Sequence, residues 1–192
     1  MQTIEISTII TADPDFIVRD QLLSEATVTE YAEEPERLPA IELWRDPDTE
    51  QIYLLDGQHR IAAYQQRNLT GIAATFFAGT RQEAEARARV ANLWHGLSLT
   101  GKERRRVRLE VVERLHPYSN NWIAEDFLRC SPNTVAAMRV GLEEAGRIPK
   151  LDRLKRKGGG TIPRSNAGKD EDDKPRMMGC LAQSETSNPR LT

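Results

Sequence analysis

Apolar and polar positions alternate along this chain in two different rhythms. Residues 2–10, Gln-Thr-Ile-Glu-Ile-Ser-Thr-Ile-Ile, are rich in β-branched side chains and predict a strand that Asp13-Pro14-Asp15 ends. Leu22, Leu23, Ala26, Val28 and Tyr31 return at roughly helical spacing, which predicts a helix over 19–33. Ala40–Arg45 and Ile52–Leu55 read as strands, and the polar turn Asp46-Pro47-Asp48-Thr49 between them makes a hairpin. A helix over 58–67 follows Gly57, then a strand over Ile72–Ala78. From Thr80 an Ala-, Arg- and Glu-rich helix runs to Trp94, with Thr80 and Glu83 placed for a capping box. Beyond Gly96 the rhythm is helical throughout. Val107, Val111, Val112 and Leu115 mark a helix over 100–115, ended by Pro117, and shorter helical patterns cover 120–128 and 132–145.

Charge divides the chain in the same way. Residues 1–99 hold 8 Lys or Arg against 16 Asp or Glu, a net of −8, whereas residues 100–160 hold 14 against 8, a net of +6. A basic segment of this kind suits a phosphate backbone, where binding releases condensed counterions; it also suits plain solvation of helix surfaces. Residues 161–192 balance at 5 against 5 in a tail of Ser, Asn, Asp, Lys and Pro, which cannot bury enough apolar surface to fold alone. The expected organisation is an α+β domain with a small mixed sheet over 1–98, an all-α domain over 99–150, and a basic linker and disordered tail over 151–192. Cys130 and Cys180 are isolated, with no zinc-ligand spacing, and fit a reducing cytosol. His95 and His116 sit alone near helix ends, where bonding a terminal carbonyl is the expected role. The N-terminus lacks the basic start and apolar run of a signal peptide, and no stretch approaches ~18 consecutive apolar residues, so no membrane contact is expected. The expected location is cytoplasmic.

Two motifs carry candidate chemistry. Asp56-Gly57-Gln58-His59-Arg60 lies between an apolar strand and a helix, where backbone N–H groups and the positive end of the helix dipole point outward. Gly57 permits close approach, and His59 and Arg60 add donors for an anion. The same residues also suit a plain tight turn, with Asp56 capping the helix and Arg60 paired to a carboxylate. The second motif runs from Ser119 to Arg139 and reads as a helix-turn-helix. Ile123, Ala124 and Phe127 would pack its first helix, and Ser131 would N-cap the second with Pro132 at its first position. Val135 and Met138 would face the core. Asn133, Thr134, Ala137 and Arg139 are the candidates for base edges, and Arg104, Arg105, Arg106, Arg129 and Arg139 for phosphates. Phe127-Leu128-Arg129-Cys130 makes the connection one residue longer than usual and leaves it without glycine.

Leu54-Leu55-Asp56-Gly57-Gln58-His59-Arg60-Ile61-Ala62-Ala63-Tyr64, with the element order around it, resembles the signature of the ParB/sulfiredoxin superfamily. Ala91-Asn92-Leu93-Trp94-His95-Gly96-Leu97-Ser98-Leu99-Thr100 is similar to the StrR type of ParB-like regulators. The resemblance implies that Gly57, Gln58, His59, Arg60 and Asn92 hold the phosphates of CTP or another nucleotide. It also implies duplex DNA as partner and a candidate homodimer. Sulfiredoxins carry a catalytic cysteine where Gln58 stands, so sulfinic acid reduction is excluded. Ala91-Asn92 replaces an acidic-Asn pair and removes an oxygen ligand for Mg²⁺, which argues against CTP hydrolysis. No catalytic residue and no metal ligand is assigned. The expected function is transcription regulation by a DNA-binding protein; the alternatives are a CTP-switched partition clamp in chromosome or plasmid partition, and a nuclease or nucleotide hydrolase.

Overall fold

The strand expected over 2–10 is cut in two. In the computed structural model, which describes residues 1–16, 23–95 and 99–164, β1 is Gln2–Glu5 and β2 is Ile9–Ile10, with a 3-10 turn at Ile6–Thr8 between them. The remaining strands of the main sheet are β3 (Ile41–Arg45), β4 (Ile52–Asp56) and β5 (Gly71–Phe76), in the order β1-β5-β3-β4-β2. β1 pairs antiparallel with β5, β5 parallel with β3, β3 antiparallel with β4, and β4 parallel with β2. The sheet is therefore mixed, and its two edges are joined through the single short turn. From Glu5 to Ile9 the chain can reach at most ~14 Å, whereas four interstrand gaps of a flat sheet span ~19 Å. The sheet must curl. Its inner face buries Ile6, Ile9, Ile41, Leu43, Leu54 and Ile72 together with Ile61 of α2 (Gln58–Gln66). α1 (Glu25–Glu33), capped by the Ser24 hydroxyl, packs on α2. Residues 17–22, the start of the helix expected over 19–33, lie outside the described residues.

The outer face carries Phe16, Trp44, Tyr53 and Leu55, and the three rings lie 4.9–5.9 Å apart. α3 (Arg81–His95) covers them. Its Ala84, Ala86, Ala88 and Val90 alternate with charged residues, and in an α-helix a step of two turns the side chain by about 200°. Alternation thus makes two apolar stripes on opposite sides. Ala84 and Ala88 meet the aromatic face of the sheet, while Ala86 and Val90 enter the second core. Thr80 and Glu83 form the expected reciprocal cap at its start.

That second core joins α4 (Gly101–Arg114), α5 (Asn120–Trp122) with the π-helical turn Ile123–Leu128 that continues it, and α6 (Pro132–Glu144). Val111, Val112, Leu115, Ile123, Phe127, Leu128, Val135 and Leu142 fill it. Charges line the seam: Arg114 reaches Glu85 at 3.2 Å, and the buried Arg89 donates to the Asp15 carbonyl at 2.7 Å.

Where a basic linker was expected, the chain forms a second hairpin. β6 (Arg153–Lys155) and β7 (Thr161–Pro163) pair antiparallel, and Leu154 and Ile162 bury their side chains on one face. Arg-Leu-Lys and Thr-Ile-Pro each place one apolar residue between its neighbours, and the glycine run between them supplies the turn. Residues 165–192, including Cys180, lie outside the described residues. Among the described residues no helix is long and apolar enough to cross a membrane.

The double-faced packing of α3 has a direct test. Ala88→Leu adds volume at a fully buried position and should lower stability by about 1–3 kcal/mol. Gln82→Leu, on the exposed edge of the same helix, should stay within about 0.5 kcal/mol. Urea unfolding midpoints of the two variants give the comparison.

Candidate functional site

At the end of β4 the chain turns into α2 through Gly57, whose φ of 119° lies in the left-handed region. A Cβ there would stand 2.4 Å from Ile41 Cγ2, so glycine is required for both backbone and space. No side chain caps α2, so Asp56 does not act as the cap that a plain tight turn suggested. Asp56 instead accepts from Arg60 Nη2 at 2.6 Å, and Arg60 Nη1 donates to the carbonyls of Pro39 at 2.9 Å and Ala40 at 2.6 Å. The guanidinium thus clamps α2 to the entrance of β3. His59 Nε2 accepts the Ser24 N–H at 3.2 Å and ties α2 to the start of α1. Of the residues expected to cradle an anion, Gln58 is the exposed one. The side chains of Asn92 and His95 lie outside what the structure describes. Two of the four turn residues therefore serve as joints of the fold.

The helix pair expected between 119 and 139 begins with Ser119, whose hydroxyl accepts from Trp122 N–H. The extra residue in its connection is taken up by the π-helical turn Ile123–Leu128, a wider coil that accommodates one residue more than α-helix does. Arg129 then adopts φ 46° and ψ 50°, the left-handed conformation usually filled by glycine, and Cys130 N–H bonds the Ala124 carbonyl at 3.2 Å. Burial pushes the Cys130 thiol pKa up, so it stays a protonated packing group. Ser131 caps α6 through Thr134 N–H at 3.2 Å, with Pro132 at the first position. His116 Nδ1 lies 2.8 Å from the Glu113 carbonyl, the terminal-carbonyl contact expected of it.

Asn133, Thr134 and Ala137 are exposed along one side of α6. Val140, 43% exposed, and Gly141 extend the same face at helical spacing; the sequence reading missed them. Arg104, Arg105 and Arg106 project from the first turns of α4, and Arg129 is exposed at the turn. Arg106 pairs with Glu110 at 3.3 Å.

Arg139 is a correction. It was expected at base edges or phosphates, but it is 2% exposed. Its Nε donates to Asn120 Oδ1 at 2.9 Å, Nη2 to the Tyr118 carbonyl at 2.7 Å, and Nη1 to the His116 carbonyl. Burial, with Arg164 nearby, pushes its pKa down to about 10 against the pull of Glu143, so the group is a cation at neutral pH. The spacing Val135, Arg139, Leu142 puts it on the buried stripe of α6. Read by helical phase rather than by charge, the sequence carried that signal.

No family model matches the chain. A curated protein of Streptomyces griseus, described as a streptomycin biosynthesis operon possible regulatory protein, is 38% identical over 80 residues. The match takes in 42% of this chain and 21% of that protein, so the chain spans about a fifth of the relative's length. The C-terminally truncated chromosome-partitioning protein ParB from Caulobacter crescentus, complexed to the centromeric parS site, superposes with a TM-score of 0.53 at 15% identity, covering 77% of this chain and 80% of that one. The chain has the fold of that ParB fragment. Sulfiredoxin from Arabidopsis thaliana, at a TM-score of 0.36 and 18% identity over 45% of this chain and 97% of that one, adds no weight. Within this ParB-like fold the two candidate regions belong to different cores. Gly57–Arg60 closes the curled sheet, and α6 belongs to the core it shares with α4 and α5.

Arg139→Leu should cost about 3 kcal/mol or more, because it leaves two buried carbonyls and an amide oxygen without their donor. Circular dichroism melting reads that loss. Arg129→Gly should stabilise the chain by about 1 kcal/mol, by relieving a left-handed conformation in a residue with a Cβ. The same melts, run side by side, should move in opposite directions.

Proposed function

We propose that this protein is a transcription regulator that binds duplex DNA with α6 as the recognition helix of a helix-turn-helix. The observation that carries the reading is the outer face of α6. Asn133, Thr134, Ala137, Val140 and Gly141 are all short, and most of that face is open to solvent. A helix enters a major groove only where its side chains are small enough to let the backbone approach, and base edges are met near the helix start. Asn133 and Thr134 supply hydrogen-bonding groups there, and Val140 supplies methyl groups suited to the methyl of thymine. Leaving Val140 exposed costs burial, which a groove contact would recover.

The arginines divide into two classes. Arg104, Arg105 and Arg129 are exposed and suited to phosphates, whereas Arg139 holds α6 to the carbonyls before α5 and so sets the angle at which the face is offered. The ParB that superposes on this chain is complexed to the parS site, and the Streptomyces griseus protein is described as regulatory; both support the reading. The turn at Gly57–Arg60 lends less to a nucleotide reading, since Arg60 and His59 are held inside the fold.

Selection from a random duplex pool should return a preferred site bound in a salt-sensitive manner. Asn133→Ala should relax the preference at one base pair by about 1–3 kcal/mol. Ala137→Glu should abolish binding without changing the melting temperature. Absence of salt-sensitive duplex binding by the unmodified chain would sink the reading. CTP-dependent spreading away from the selected site would assign a partition clamp instead of a regulator.

A further inference from the structure

We infer that the β6–β7 hairpin is a second contact with the same duplex, a basic ribbon that grips phosphates beside the groove taken by α6. The inference rests on the reading of α6 as a recognition helix and adds a surface to it.

The hairpin is clamped to the helix pair. Lys155 N–H donates to the Pro117 carbonyl at 2.7 Å and Ser119 N–H donates to the Lys155 carbonyl at 2.9 Å, which joins β6 to the segment that starts α5. Lys157 Nζ meets Asp126 Oδ1 at 2.6 Å on the first helix of the pair. Arg164, just past β7, makes two bonds of 2.8 Å to the Glu143 carboxylate on α6. With Leu154 and Ile162 buried beneath it, the ribbon is fixed to both helices. A ligand that touched both the helix pair and the ribbon would therefore meet them at a fixed spacing.

Its chemistry suits a polyanion. Lys150, Arg153, Lys155, Arg156 and Lys157 stand against the single acid Asp152. Arg156 is exposed, and among the described residues its side chain has no hydrogen bond or ion pair. On the rim of a cleft it shares with Tyr118 and Trp122, this guanidinium is open to an anionic ligand. The tip, Gly158-Gly159-Gly160, has φ values of 83°, 106° and 75°, and a Cβ at any of the three would meet nothing within 4 Å. A hairpin needs left-handed residues at one or two positions. Three in a row, on a cleft they share with Glu83, Tyr118 and Trp122, make a tip without side chains, so a sugar-phosphate backbone could come close to the peptide groups and to the cations flanking them.

The test uses the full chain and the duplex recovered by selection. Arg156→Glu is compared with Arg67→Glu, an exposed arginine at the end of α2 that changes net charge equally. Arg156→Glu should weaken binding several-fold more than Arg67→Glu. Arg156→Ala should reduce the steepness of the salt dependence by about 0.9, the share of one neutralised phosphate. Backbone footprints should lose protection on one flank of the site, with the base preference set by α6 unchanged. If Arg156→Glu matches Arg67→Glu while Ala137→Glu still abolishes binding, the ribbon contact is wrong and the recognition helix stands. If the unmodified chain binds no duplex, both fall. Tighter binding to a single strand of the same sequence, abolished by Arg156→Glu, would overturn the duplex assignment and give the ribbon to single-stranded nucleic acid.

Discussion

The sheet and the helical core are both built against α3, one on each side of it. A helix buried on one side can take large residues there, because its other side faces water. α3 is buried on two opposite sides and has room for neither. Ala84 and Ala88 let the aromatic face of the sheet approach, and Ala86 lets the helical core approach from behind. Val90 is the largest fully buried residue in either stripe. Charged residues occupy the two remaining edges, where Arg81, Glu85, Arg87 and Arg89 bond to the loop before α1, to β3 and to α4. Because close packing is costly to expand in either direction, the position of the sheet relative to the helices is fixed by the size of a methyl group.

The charges of the chain divide into those that fold it and those that face solvent. Arg81 lies among Asp13, Asp15, Asp46 and Glu85 and over the rings of Phe16 and Tyr53. Desolvation lowers its pKa, but Tyr53, Asp15, Asp13 and Glu85 together hold it above the ordinary arginine value. Arg60, Arg89 and Arg139 likewise donate to backbone carbonyls that would otherwise go without a partner. Counting residues by sign separates an acidic half from a basic half but does not separate these roles. Exposed cations such as Arg37, Arg45 and Arg67 are scattered over the first domain, whereas they cluster on the first turns of α4 and on the second hairpin.

Much of the architecture was legible in the sequence, because it follows from local rules. The β3–β4 hairpin, the cap at Thr80, the cap at Ser131 with Pro132, and the outward face of α6 at Asn133, Thr134 and Ala137 all follow from patterns a few residues long. What was missed depends on contacts distant in sequence. The cut at Ile6–Thr8 is set by the opposite edges of the sheet, and a run of β-branched residues gives no hint of it. Arg139 and the second hairpin were misread for a different reason. In both, charge drew attention away from phase: Arg139 shares a stripe with Val135 and Leu142, and Leu154 and Ile162 sit in alternating triplets. For Gly57–Arg60 the chemistry was legible but its direction was not, since the same donors can face an anion or the carbonyls of Pro39 and Ala40.

The turn before α6 shows how a misfit in sequence becomes a structural device. One added residue would rotate everything after it by about 100° if the helix continued as α, and would carry the core residues of the pair out of register. The π-helical turn takes up that residue with Ile123, Ala124, Phe127 and Leu128 all still buried. The chain must then reverse without glycine, and Arg129 accepts the left-handed conformation to do so. An arginine at that position carries the backbone cost of the left-handed region and places a cation just before the start of α6. A glycine would give the better turn. A costly backbone is accepted in the same way at the tip of the second hairpin, where three glycines lose their conformational freedom beside an exposed arginine.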